Sequence, residues 1–173
     1  MKINVEEMSL ENLKDIFEFE VQNRVYFERT LPPRPEDYFD YASFQNLMIG
    51  FLEEQMRGEC AMFVLRDLTG EMVGRINLTA MTYNGERKAE LGYRIGEVHQ
   101  GKGYASEAVS AVVDMGYQVY GLNKIEAGTS TENIGSQRVL EKNGFIRVAT
   151  MESVMEINGS LVDGYCYEKE RQQ

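Results

Sequence analysis

The stretch 96-GEVHQGKGYASEA-108 lies between a run that alternates like a strand and a run that repeats like a helix. It nearly spells the phosphate loop of ATP-binding proteins: Gly96, four residues, Gly101, Lys102. The next residue is Gly103, where that loop carries a Ser or Thr hydroxyl for magnesium. A glycine-rich turn between a strand end and a helix start traps anions, because successive backbone N–H groups converge and the helix N-terminus adds partial positive charge. Keeping the glycines while losing the metal ligand suits a pyrophosphate bound without a metal ion. The plain alternative is a tight turn whose glycines serve backbone geometry alone.

Upstream of this turn, "AELGYRIGEV" (89–98) reads as a strand, with Leu91, Tyr93 and Ile95 on one side. "CAMFVLRD" (60–67), the turn "LTGE" and "MVGRINLTAM" (72–81) form a strand–turn–strand unit before it. Downstream, a helix carries Ala105, Ala108, Val109, Val112, Gly116 and Val119 on one face, with Glu107, Ser110, Asp114 and Gln118 on another. "NKIEAGT" (123–129) reads as a short strand. A short helix capped by Asn133 and stopped by Asn143-Gly144 follows, then a hairpin turning at Asn158-Gly159. Toward the N-terminus, a first strand precedes a helix in which Ser9 is the cap and Leu10, Leu13, Ile16, Phe17 and Val21 share helical spacing. "LPPRP" (31–35) breaks that helix, and a second runs through residues 36–56. The expected order is strand, two helices, three antiparallel strands, helix, strand, helix, two strands. This is one α/β (α+β) domain over residues 1–173, with about seven strands and four helices.

Of 173 residues, 43% are hydrophobic and 27% charged, which fits a folded domain with a sizeable core. The 28 acidic against 18 basic residues give a net charge of −10, which disfavours nucleic acid and anionic membrane surfaces as partners. A cationic small molecule or a basic protein suits that field better, though acidity also serves solubility. The two cysteines, Cys60 and Cys166, form no CxxC pattern, and a single histidine with them makes no zinc site. No signal peptide and no apolar run of membrane-spanning length is visible, so the expectation is a cytoplasmic protein.

Gln100-Gly101-Lys102-Gly103-Tyr104-Ala105 resembles the Q/R-x-x-G-x-G/A signature of the GNAT superfamily of acetyl-CoA-dependent N-acetyltransferases. The segments 23–39, 69–79, 91–109 and 123–145 extend the resemblance along nearly the whole chain. They look like the branch containing the ribosomal-protein N-terminal acetyltransferases. The resemblance implies that Gln100, Gly101, Lys102, Gly103, Tyr104, Ala105 and Ser106 hold the acetyl-CoA pyrophosphate. It further implies that the pantetheine arm pairs with the strand edge at Tyr93, Arg94 and Ile95, and that Asn133 also contacts the cofactor. For that edge to be free, the strands 89–98 and 123–129 must splay apart. Gly92 and Gly96 would tolerate a bulge there, or serve as packing glycines. A homodimer is compatible with this family.

Amine acetylation needs a neutral amine, a polarised thioester carbonyl and a proton for the departing thiolate. Glu90 lies close to where the superfamily often places a glutamate base; its other reading is a solvated or salt-bridged strand carboxylate. Many members carry a tyrosine acid seven residues after the Asn, where this chain has Leu140. Ser136 matches a serine given that role in the ribosomal-protein branch, and otherwise reads as first-turn helix polarity. His99, beside the phosphate loop, reads as a solvent-facing residue or an incidental phosphate contact. Of the aromatic residues Tyr26, Phe27, Tyr38, Phe39, Tyr41 and Phe44, most read as core and one or two as lining for the amine. The acceptor is expected to be a small amine or a protein N-terminus. The alternative from another class is a catalytically silent acyl-CoA-binding sensor or scaffold.

Overall fold

The computed structural model describes residues 2–172. Its elements run β1 (Ile3–Glu7), α1 (Leu13–Glu28), α2 (Tyr41–Met56), β2 (Ala61–Asp67), β3 (Met72–Thr82), β4 (Lys88–Ile95), α3 (Tyr104–Gln118), β5 (Lys124–Ser130), α4 (Ile134–Lys142), β6 (Ile146–Ile157) and β7 (Ser160–Glu170). This is the order read from the sequence. The seven strands make one sheet in the order β1-β2-β3-β4-β5-β7-β6, antiparallel throughout except for β4 beside β5.

Side-chain alternation gives the sheet two buried faces. On one, Phe63, Leu65, Ile76, Leu78, Leu91 and Ile125 pack beneath α3, whose Ala108, Val109, Val112 and Val113 face them. Gly116 lets that helix approach closely, since a Cβ there would meet Ile125 Cδ1 at 2.9 Å. On the other face, Leu13 and Ile16 of α1 and Phe44 and Met48 of α2 close over Met62 and Val64. Asp40 caps α2 by accepting from the Ser43 N–H at 3.0 Å. The final hairpin turns through Asn158 (φ 52°) and Gly159 (φ 73°), a pair of left-handed residues that matches the twist of its strands.

The decisive feature is a parting in the sheet. β4 pairs with β5 at only three positions, Lys88↔Lys124, Ala89↔Ile125 and Glu90↔Glu126. Beyond them β4 stays on β3, and β5 stays on β7 as far as Ser130. Lys88 and Lys124 clamp the closed end, reaching the Glu126 carboxylate at 2.9 and 3.2 Å. The other end gapes.

No bulge sits at Gly92 or Gly96: β4 is regular against β3 from Glu90 to Ile95, and the irregularity lies in β3 between Thr79 and Thr82, where Ala80 has φ 50°. Gly92 is a packing glycine, because a Cβ there would press on the Asn77 side chain at 3.2 Å. Ser9 is the N-cap of the short 3-10 turn Leu10–Asn12 that leads into α1, where Asn12 Oδ1 accepts from the Ser9 N–H at 3.0 Å. Leu10, Val21 and Val119 are exposed, so the buried stripe of α1 runs instead through Leu13, Ile16, Phe19, Glu20 and Phe27.

Candidate active site

The parted strands open a cavity of about 940 Å³, in the size range of small-molecule sites. At one end lies the glycine turn. Gly101 and Gly103 take φ of 73° and 86°, conformations that L side chains rarely adopt, and a Cβ on either would project into open space. Among the described residues, none of the N–H groups of residues 101–106 finds a hydrogen-bond acceptor. The last three of them open α3, so its positive end and the turn converge on one spot. Gln100 steadies the turn by donating from Nε2 to the Ile95 carbonyl at 2.6 Å. A phosphate group fits this cradle, and Lys102, Arg138 and Lys142 stand nearby on the loop and α4.

Along the cleft, β4 points its side chains two ways. Tyr93 crosses the parting to α4, its Oη 2.9 Å from Ser136 Oγ, and it also donates to the Ser136 carbonyl at 3.3 Å. Burial pushes the Tyr93 phenol up to about 12, against a smaller opposing effect of the Ser136 hydrogen bond. Asn133 caps α4 by accepting from the Ser136 N–H at 3.0 Å, which fixes where Ser136 stands. Leu140 lies one turn on, fully buried in the core.

Glu90 sits at the rim. It is exposed, lies at the last paired position of β4, and is not among the cavity-lining residues. Its neighbour across β3, Thr79, does line the cavity. Glu126, beside it, is engaged by two lysines, whereas Glu90 has no ion-pair partner among the described residues. Ile95 is buried in the core, and Ser106 Oγ accepts from Asn143 Nδ2 at 3.2 Å.

His99 departs from its sequence reading. It is only 7% exposed and lines the cavity, with Nε2 3.4 Å from Glu71 and a buried Nδ1 that has no partner. Of the six aromatics weighed, Tyr26, Phe27 and Tyr38 line the cavity, while Phe44 is core.

The sequence reading missed a charged cluster on the α1–α2 side. Glu20 of α1, 1% exposed, accepts from Arg75 Nη1 of β3 at 2.7 Å and from Arg94 Nη1 of β4 at 2.8 Å. Arg75 also donates to Tyr38 Oη at 3.1 Å, and Arg94 stacks over the Phe27 ring at 4.8 Å. Burial alone would raise the Glu20 carboxyl, but Arg75 and then Arg94 outweigh it and hold it below its ordinary value. A signal was present: Glu20 follows Ile16 by four residues, on the same buried stripe of α1.

A sheet parted beside a phosphate cradle, with a polar pair across the gap, defines a group transferase that works on a phosphate-bearing donor. A family model described as an acetyltransferase (GNAT) domain matches residues 2–146 of the chain. The probable N-acetyltransferase YjcK of Bacillus subtilis (strain 168) is 31% identical over 143 residues, 82% of this chain and 79% of its own. The crystal structure of ribosomal-protein-S5-alanine acetyltransferase from Vibrio fischeri matches with a TM-score of 0.94 at 21% identity, covering 100% of this chain and 95% of its own. Spermidine N-acetyltransferase from Vibrio cholerae, in complex with CoA and spermine, matches with a TM-score of 0.83 at 20% identity, over 98% and 95% of the two chains. The chain belongs to the GNAT family, the acetyl-CoA-dependent N-acetyltransferases. It is an enzyme that moves an acetyl group from acetyl-CoA to an amine. No helix of the described residues is long and apolar enough to cross a membrane.

Proposed function

We propose that acetyl-CoA lies along the parting and that a primary amine, entering from the α1–α2 side, attacks it directly within a ternary complex. One observation carries this reading: β4 leaves β5 after Glu90, and the freed edge leads straight to the unpartnered N–H groups of residues 101–106. Those groups, with Gln100, Lys102, Gly103, Tyr104, Ala105 and Ser106, bind the pyrophosphate. The backbone of Tyr93, Arg94 and Ile95 pairs with the pantetheine arm as an added strand would, and Asn133 holds the far wall. When bound, acetyl-CoA supplies an activated acetyl group, and a β4 N–H polarises its carbonyl.

The chain's own groups then move protons. Glu90 receives the ammonium proton through water from the rim, beside Thr79, so that the amine attacks as a neutral nucleophile. Ser136 hands a proton to the departing thiolate. Tyr93, hydrogen-bonded to Ser136 and neutral at working pH, passes its proton to Ser136 and regains one from solvent. Neither cysteine lines the cavity, and burial pushes the Cys60 thiol up to about 11, so no cysteine is placed there to carry the acetyl group.

The two solved neighbours are named for a protein alanine acceptor and for spermidine, so the acceptor here is a protein N-terminal α-amine or a small amine. Thiol release from acetyl-CoA, measured over a panel of both kinds, tests this reading. Turnover is expected with at least one amine, and Glu90→Gln is expected to lower kcat/KM by roughly 10²-fold, with the defect shrinking at high pH where free amine is abundant. Equal rates for wild type and Glu90→Gln across pH would remove Glu90 from the mechanism.

A further inference from the structure

The cavity and the chain disagree in charge. The chain carries a net −10, yet no Asp or Glu is among the cavity-lining residues, whereas Arg34, Arg75, Arg94, Arg138 and Lys142 are. Arg138 and Lys142 belong to α4, at the phosphate end. The other three are separate from it. Gly92 and Arg94 point to the face covered by α1, opposite the face on which Leu91 and Ile95 pack under α3. Arg75 is paired with Arg94 across β3 and β4, and Arg34 lies over the Tyr38 ring at 5.2 Å.

Glu20 stands behind these three cations and offsets one of them. The side chains of Arg75 and Arg94 are 14% and 15% exposed, so neither is free to reach bulk water for solvation. Taking a guanidinium out of water is costly unless an anion answers it, and one carboxylate cannot answer two. The consequence is visible at Arg94, whose guanidinium burial and the neighbouring Arg34 and Arg75 hold below its ordinary value despite Glu20. Arg94 spends only Nη1 on Glu20, and among the described residues its Nε and Nη2 have no acceptor. Arg34 has no ion pair among the described residues. A network built only to join α1 to the sheet would need one arginine. Two more face an open cavity.

We propose that the acceptor is a primary amine that also carries a carboxylate, which Arg94, Arg75 and Arg34 hold while the amine is presented to the acetyl group. This rests on the amine-acetylation reading above and narrows it, against the net charge of the chain and against a polyamine. The fork of a guanidinium matches a carboxylate with two parallel hydrogen bonds, so the group selects the substrate and also orients it.

Matched acceptors test the proposal without altering the protein. Thiol release is measured with amino acids against their amides, with peptide amides bearing an acidic residue near the N-terminus against their Asn or Gln counterparts, and with spermidine, KM being expressed per free amine. The expected result is a preference of about tenfold or more in kcat/KM for the carboxylate member of at least one pair series, as charge-assisted hydrogen bonds give. The series that shows it tells a free amino acid from an acidic peptide. Arg34→Lys and, more strongly, Arg34→Gln, at an exposed position, are expected to reduce that preference severalfold while the acetyl-CoA Kd from calorimetry stays within twofold. Equal use of acids and amides, or better use of spermidine, would overturn this inference alone. Weaker acetyl-CoA binding in the arginine variants with unchanged preference would also overturn it, by assigning the cations to the phosphates. Absence of turnover with every amine would overturn the acetylation reading and this one together.

Discussion

Ser136 shows how closely a single residue's role depends on what holds it. Its backbone is fixed by the Asn133 cap at 3.0 Å and its hydroxyl lies 2.9 Å from the Tyr93 phenol, so the two side chains form one hydrogen-bonded pair across the parting. Ser136→Ala is expected to lower kcat by roughly 10²-fold with the acetyl-CoA Kd within twofold, and Tyr93→Phe to lower it less, since the Ser hydroxyl remains. The double variant should be no worse than Ser136→Ala, because the two act as one relay; additive losses in stopped-flow thiol release would separate them. Tyr93 also marks stability. Its folded pKa of about 12 stands above the ordinary 10, so its contribution is present below pH 10 and lost as pH rises from 10 to 12. Thermal melts should show a shallower alkaline decline in Tyr93→Phe than in the wild type. From the sequence, Asn133 was legible as a cap because a cap is local. The Tyr93 side-chain contact was not, since it joins residues 43 apart in the chain. Glu20, Arg75 and Arg94 were hidden for the same reason: a carboxylate on the buried stripe of α1 has meaning only once its arginines are known.

At the scale of elements, the glycine turn before α3 was the most legible part of the chain. Gly101 and Gly103 both adopt the left-handed backbone that a nest of N–H groups requires, and the helix begins directly after them. Gly103→Val is expected to weaken acetyl-CoA binding by well over tenfold, since its side chain would occupy the open space where the pyrophosphate approaches. Gly70→Val is a matched control. Gly70 has φ 89° and equally open surroundings, but it turns between β2 and β3, away from the cavity. Both variants should lose about 1–3 kcal/mol from backbone strain, and calorimetry should find only the Gly103 variant impaired in binding. The parting itself was expected from the resemblance, and of the two readings left open for Gly92, a tolerated bulge or a packing glycine, the structure has the second. The irregularity is at Ala80 in β3, because the hand-over from β3 to the turn at 83–87 is settled by the sheet and not by local propensity. The apolar period likewise misplaced Leu10 and Val21, which fall on the solvent side once α1 docks beside α2.

For the whole molecule, the Glu20 cluster ties α1 to the centre of the sheet and gives stability a pH signature. The Glu20 carboxyl is held below its ordinary 4.5, so its contribution is full above that value and lost as pH falls through the lower folded value. Glu20→Gln should destabilise the protein by about 3–5 kcal/mol at neutral pH, because it strands two buried guanidinium groups. In melts from pH 7 to 3, the gap between this variant and the wild type should narrow toward the acid end. Net charge read from composition suits a cationic acceptor or plain solubility, whereas the cavity lining holds arginines and no Asp or Glu, and the proposed carboxylate-bearing acceptor rests on that lining. The cavity joins the glycine turn at one end to the arginine cluster at the other, which supports the proposal that both substrates bind at once. Initial rates of thiol release, with acetyl-CoA varied at several fixed concentrations of a good acceptor, test this most directly. The account predicts double-reciprocal lines that intersect, as a ternary complex requires; parallel lines, together with an acetylated protein trapped in the absence of acceptor, would contradict it.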